Sequence, residues 1–131
     1  MPKAAARHHP KIAIIEDDRE LVLLLRRALS SRYAVSVAND AEEGLPLVRR
    51  ELPALVILDI LLPGKSGYEV LRELKADPAT RDIPVLALSN LGQEQEARTG
   101  LSLGAVDYLI KADTTIDAVV ARVDELLRAS R

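Results

Sequence analysis

The sequence predicts a doubly wound α/β fold built on a five-stranded parallel sheet, and three observations predict it. Short aliphatic runs recur five times, each followed by a segment whose apolar residues fall at helical spacing. The runs are nearly unbroken in Val, Ile, Leu and Ala, as strands covered on both faces require. The 131 residues suffice for one domain, and no linker or repeat interrupts the alternation.

Residues 1–10 read as a short basic arm without regular structure, and residues 11–131 as the domain. Lys11–Ile15 (KIAII) is a buried strand. Asp18 caps a first helix running to about Ser31, whose stripe is Leu21, Leu24, Leu25, Ala28 and Leu29. Val22 and Leu23 lie outside that stripe. Tyr33–Ala38 is a second strand. Asp40 and Glu43 form a capping box for a second helix ending near Leu52. Pro46 inside it implies a kink or a start near Leu45, and Gly44 weakens the segment further. Ala54–Asp59 is the most apolar strand and therefore central. A loop leads to a third helix at Gly67–Ala76, broken by Asp77-Pro78. Pro84–Ser89, a helix over Gly92–Leu103 closed by Gly104, Val106–Ile110 and a helix over Thr115–Arg128 complete five βα repeats.

Composition narrows the function. Net charge is −2, which argues against nucleic-acid binding as the main function. There is no cysteine, which excludes thiolate metal sites, disulfides and a Cys nucleophile. No apolar run is long enough to cross a membrane, and the arm lacks the apolar stretch of a secretory signal, so a soluble cytoplasmic protein is expected. His8 and His9 stand without neighbouring ligand-type residues and do not suggest a metal site.

In an open parallel sheet, chemistry gathers beyond the carboxyl ends of the strands. There the first strand is followed by Glu16, Asp17 and Asp18; the third ends in Asp59; the fourth ends in Ser89 and Asn90; the fifth is followed by Lys111. Clustered carboxylates need a cation, and oxygen ligands of this kind suit Mg²⁺. A carboxylate is also a nucleophile toward phosphorus, with an ammonium and a hydroxyl to stabilise the transferring group. Any one acid after a strand is usually a solvated turn or a cap; the set, in order, points to phosphoryl chemistry.

With those residues in view, the chain resembles the receiver family of bacterial two-component response regulators, chemotaxis-regulator-like, from Lys11 to about Ala129. The segments that carry the resemblance are IIEDD, LVILDILLPGKSGYEVL, IPVLALSN and GAVDYLIK. The D-x-x-x-P-x-x-x-G spacing from Asp59 to Gly67 is specific when it follows an apolar strand. The resemblance implies a flavodoxin-like (βα)₅ fold with strand order 2-1-3-4-5. It implies that Asp59 accepts phosphate from a histidine kinase or histidine phosphotransfer protein with Mg²⁺, then switches its surface for a downstream effector. Such a domain is not a turnover enzyme; it catalyses only its own phosphorylation and dephosphorylation. Glu16, Asp17, Asp59 and the Leu61 backbone carbonyl would hold the metal. Lys111 and Ser89 would serve the phosphoryl group, and Ser89 with Tyr108 would form the switch. The plain alternative for Tyr108 is a strand tyrosine with its ring on the surface. Helix one would lie beside the phosphoryl donor, with Leu23 as a docking residue; the plain alternative is a lone surface apolar side chain with no role. Asn90 and Ala112 depart from the small residue and the proline usual at their positions. Asp18 is a helix cap rather than a further ligand.

Three rivals fail on single residues. A P-loop reading of Gly64-Lys65-Ser66 needs a glycine at the position of Asp59. A dehalogenase-type phosphatase needs a second acid two residues beyond its nucleophile, where Leu61 stands. A flavodoxin-like nucleotide site needs a phosphate-cradling loop where this chain has acidic EDDRE. A degenerate receiver used only for interaction would lack some chemical position, and here each is filled. Leu61 and Leu91 flank the approach of a hydrolytic water, so a long-lived phosphorylated form is expected.

Overall fold

The structure is a computed structural model that describes residues 9–90 and 94–129. Strands β1 (Lys11–Ile15), β2 (Ala34–Ala38), β3 (Leu55–Asp59), β4 (Val85–Ser89) and β5 (Asp107–Ile110) pair in parallel in the order β2-β1-β3-β4-β5. Helices α1 (Arg19–Leu29), α2 (Ala41–Glu51), α3 (Gly67–Ala76), α4 (Glu94–Ser102) and α5 (Ile116–Ala129) alternate with them, and Lys111–Asp113 forms a single 3₁₀ turn. Fold class and strand order are those expected. Residues 1–8 of the arm, Leu91 and the expected helix start at Gly92 lie outside the described residues.

The sheet separates two cores. Ile12, Ile14, Leu55, Ile57, Leu86 and Leu88 face α1 and α5. Ala13, Ile15, Val56, Leu58, Val85 and Ala87 face α2, α3 and α4. This is the two-residue period of strand side chains, and it extends to the functional rim below. Burial is complete on β1, β3 and β4 apart from Lys11, whereas the edge strand β2 buries only Ala38. The expectation of fully buried strands therefore fails at the edges, where one side has no neighbour.

Several local expectations need correction. The buried stripe of α1 is Val22, Leu25 and Leu29, with Leu23 and Leu24 both exposed, so Val22 belongs inside and Leu24 outside. The helix stops at Leu29 because Ser30 turns back to cap the Arg26 carbonyl with both its N–H and its hydroxyl. α2 does not begin at Leu45 but runs through Pro46. Pro46 and Glu42 are both exposed, so water can satisfy the Glu42 carbonyl that Pro46 cannot serve. Gly44 is a packing device rather than a weakness: a Cβ there would lie 2.8 Å from Ile15 Cδ1. Ser66, which figured in the sequence only in the rejected P-loop reading, accepts from Tyr68 N at 3.1 Å and caps α3.

The connectivity also polarises charge. Every helix starts at the carboxyl end of the sheet. Acidic residues fill the first turns (Glu20, Glu42, Glu43, Glu69, Asp117) and basic residues the last (Arg26, Arg27, Arg49, Arg50, Lys75, Arg128). Each set complements its helix dipole, and together they make the functional rim acidic.

α2 ends in a strained residue. Leu52 has φ 46° and ψ 61°, the left-handed region usually left to glycine, while its N–H bonds Val48 O at 2.9 Å and its side chain is exposed. Leu52→Gly should therefore stabilise the fold by about 0.5 kcal/mol, the strain relieved exceeding the entropy glycine adds to the unfolded chain. Leu52→Val should destabilise it by about 1 kcal/mol or more. Thermal unfolding checks both signs; a glycine variant that melts below the parent contradicts the assignment of strain.

Candidate functional site

Register assembles the site. Ile15 lies opposite Leu58, so Glu16 and Asp59 leave neighbouring strands at the same level. Asp59 lies opposite Leu88, and Ser89 opposite Ile110, so Ser89 and Lys111 emerge one step further along the rim. Side-chain alternation assigns faces: Glu16, Asp59 and Lys111 continue the rows on the α1/α5 side, while Ser89 continues the row of Val85 and Ala87 on the opposite side, with Tyr108.

Lys111 ties the acids together. Its Nζ lies 2.7 Å from Glu16 Oε1 and 3.1 Å from Asp59 Oδ2. Glu16 and Asp59 are 2% and 3% exposed. The second oxygen of each is held by backbone: Asp18 N donates to Glu16 Oε2 at 3.0 Å, and Leu61 N donates to Asp59 Oδ1 at 3.0 Å. The Asp59 carboxylate is thus oriented by one ammonium and one amide. Asp17 is exposed at the mouth, and one carboxylate oxygen from each of Glu16, Asp17 and Asp59 falls within a 4.8 Å group.

Two buried carboxylates share one ammonium, which leaves one negative charge over. Burial raises Glu16 to about pH 7; the hydrogen bonds from Lys111 and Asp18 oppose the shift and the neighbouring Asp59 adds to it. Burial also acts to lower Lys111, but the Glu16 hydrogen bond and the Asp59 charge outweigh it and leave Lys111 raised and charged. Glu16 is therefore the group that sheds its charge. A divalent cation would reverse this, and the donor set fits one: three carboxylates, no nitrogen or sulfur ligand, on a rim open at Asp17.

The structure brings together Glu16, Asp17, Asp59 and Lys111 as expected. Asp18 caps α1, accepting from Glu20 N at 3.1 Å and Leu21 N at 3.2 Å. Ser89 is fully buried at the end of β4. Tyr108 is buried too, which excludes a ring on the surface. The Leu61 amide donates to Asp59, and the Leu61 side chain is exposed. Asn90 is exposed and lines a cavity of about 290 Å³ with Asp18, Leu21, Leu24, Lys111 and Ala112. Among the described residues no peptide bond is cis, and the 3₁₀ turn carries Ala112.

Sequence reasoning missed Gly67 as more than a motif letter. A Cβ there would meet Asp59 O at 2.4 Å and Ile60 Cα at 2.5 Å, and Gly67 N donates to Ile60 O at 2.9 Å. Only glycine lets α3 begin against the strand end that presents Asp59. The signal was present in the eight-residue spacing, but its cause is a contact.

Comparison with known proteins agrees with this geometry. The family model described as "Response regulator receiver domain" matches residues 12–124. The chain is 38% identical over 123 residues to the phosphate regulon transcriptional regulatory protein PhoB of Rhizobium meliloti, covering 93% of this chain and 54% of that protein. It is 39% identical over 121 residues to the response regulator PleD of Caulobacter vibrioides, covering 90% of this chain and 26% of that one. It thus spans about half, or about a quarter, of these relatives. The BeF3-activated N-terminal receiver domain of Klebsiella pneumoniae RstA superposes with a TM-score of 0.82 at 33% identity, covering 90% of this chain and 98% of that one. A parallel sheet in the order β2-β1-β3-β4-β5, an acidic rim closed by Lys111 and a family match over nearly the whole sheet lead to one conclusion: this chain belongs to the response regulator receiver domain family.

Proposed function

We propose that Asp59 accepts a phosphoryl group from a histidine kinase or histidine phosphotransfer protein, and that the domain then changes its surface for a downstream partner. The observation that carries this reading is Lys111 Nζ bonded at once to Glu16 and Asp59 beside the exposed Asp17. An Asp59 oxygen attacks the phosphorus of a phosphohistidine. The P–N bond breaks, the imidazole leaves with that electron pair, and an acyl phosphate remains on Asp59. Lys111, already placed on Asp59 Oδ2, follows the charge onto the phosphoryl oxygens. The Leu61 amide keeps the carboxylate from rotating away. Glu16, Asp17, Asp59 and the Leu61 carbonyl would hold Mg²⁺, which supplies charge neutralisation at the phosphoryl oxygens when bound. The chain catalyses only this transfer and its own dephosphorylation. A cytoplasmic setting goes with this reading; among the described residues no helix is long and apolar enough to cross a membrane.

The switch follows from the faces of the sheet. Ser89 is on the side of Tyr108, so a Ser89 hydroxyl drawn toward a doubly charged phosphoryl group changes the packing in front of that ring. On the other side, the exposed Leu23 and Leu24 of α1 and the cavity beside Lys111 offer the donor a contact next to Asp59.

Incubation with a small phosphoryl donor and Mg²⁺ should add one phosphate by intact mass, and Asp59→Asn should abolish it. Removing the donor should leave an adduct that decays over minutes or longer, because Leu61 cannot orient a water, an aid commonly worth a factor of about 10² to 10⁴. Phosphate retained by Asp59→Asn, or an adduct gone within seconds, contradicts the respective claim.

Glu16 supplies a pH prediction. Its folded value, about 7, lies above its ordinary 4.5, so the folded chain holds more protons between those limits. Its contribution to stability is fully present below about pH 4.5 and is lost as pH rises through about 7. In metal-free buffer, Glu16→Gln should remove this dependence and melt higher than the parent at pH 8. Mg²⁺ should flatten the parent curve but not that of the variant. Parallel melting curves for the two proteins from pH 5 to 8 contradict the assignment.

A further inference from the structure

A second tyrosine meets the switch ring. Tyr68, in the first turn of α3, donates from its hydroxyl to the Glu96 carbonyl of α4 at 2.9 Å. Burial, followed by the neighbouring Tyr108 phenol, pushes Tyr68 up to about 12. α4 sits directly on both rings. At Gly100 a Cβ would lie 2.9 Å from Tyr108 Cδ2 and 3.9 Å from Tyr68 Cε1, so the missing side chain makes room for them. One hydroxyl therefore ties α3 to the helix that covers the Tyr108 ring of β5.

The other end of this link is the phosphoacceptor. Tyr68 directly follows Gly67, whose backbone is pressed against Asp59 O and bonded to Ile60. Ser66 caps the same turn through Tyr68 N. The Tyr68 backbone thus moves with the end of β3. The seat on α4 also carries a counterweight: among the described residues Glu96 Oε2 is buried without a hydrogen-bond partner. A buried, unpaired carboxylate oxygen opposes docking of α4, so the tyrosine bond holds the helix against an opposing term. A contact so balanced responds to small shifts at β3.

We propose that Tyr68 is a positioning residue for the switch: its hydroxyl holds α4 docked over the Tyr108 ring, linking Asp59 to that surface by a route through Gly67 that bypasses Ser89. The link rests on the phosphoacceptor reading above for its trigger, but the seating of the ring does not.

The test exploits composition. With three tyrosines and no Phe or Trp, the ring signals of Tyr108 are readily resolved by NMR. Tyr68→Phe keeps the ring and removes the hydroxyl. It should shift the Tyr108 ring signals in the free protein and weaken binding of beryllofluoride with Mg²⁺ about fivefold, the effect of one ordinary hydrogen bond. Gly100→Ala favours the helix yet crowds the ring, and should displace the Tyr108 signals without lowering the helix content. A Tyr68→Phe protein that merely melts lower while its ring spectrum and titration match the parent overturns the proposal. Failure of the parent itself to bind beryllofluoride in an Asp59-dependent way counts against the phosphoacceptor reading, and the ring spectrum of Tyr68→Phe then still decides where the latch lies.

Discussion

One ammonium shared by two buried carboxylates is the constraint around which this domain is organised. Lys111 reaches Glu16 and Asp59 from the far side of the rim, and neither acid has another cation within bonding distance among the described residues. Burial strengthens each pairing and raises the penalty for the charge left over. The site is therefore stable as a fold and unsatisfied as an electrostatic group. A cation bound at the rim or a proton on Glu16 changes that balance.

The sheet makes the constraint possible. Glu16, Asp59 and Lys111 converge because β1, β3 and β5 carry matched parity into the rim, while Ser89 leaves the neighbouring strand one residue out of phase. The same parity separates the polar groups: Glu16, Asp59 and Lys111 lie on the side of α1 and α5, and Ser89 and the Tyr108 ring on the side of α2 to α4. Slippage of any of these strands by one residue would exchange the faces and dissolve both the site and the core. The helix ends reinforce the arrangement, since acidic first turns make the rim attractive to cations and to Lys111 itself.

Much of this was legible in the sequence, and the rest was not for physical reasons. Strict alternation of apolar runs and helical stripes gave away the five βα units, and Asp59, Glu16, Asp17, Ser89 and Lys111 were visible as polar residues at strand ends. The stripe of α1 was misread at Val22 and Leu24 because five consecutive apolar residues, Leu21 to Leu25, leave the helical phase undetermined until the sheet beneath it is known. Gly44 looked like a defect because its reason, the side chain of Ile15, lies on another strand. The Tyr68–Tyr108 contact has no sequence signal, since the residues stand forty positions apart on different elements. Local pattern reports which residues line a strand or stripe; contacts between elements appear only when the layers are stacked.

The central claim is that Lys111 and Asp59 form one site that a phosphoryl group enters. A crystal structure of the chain with Mg²⁺ and beryllofluoride tests it most directly. The account predicts a beryllium adduct on an Asp59 oxygen, with Lys111 Nζ and Ser89 Oγ each within hydrogen-bond distance of a fluorine and the metal against Asp17 and Asp59. An adduct elsewhere, or Lys111 still bonded to both Glu16 and Asp59 with a bare Asp59 carboxylate at saturating probe, would contradict it.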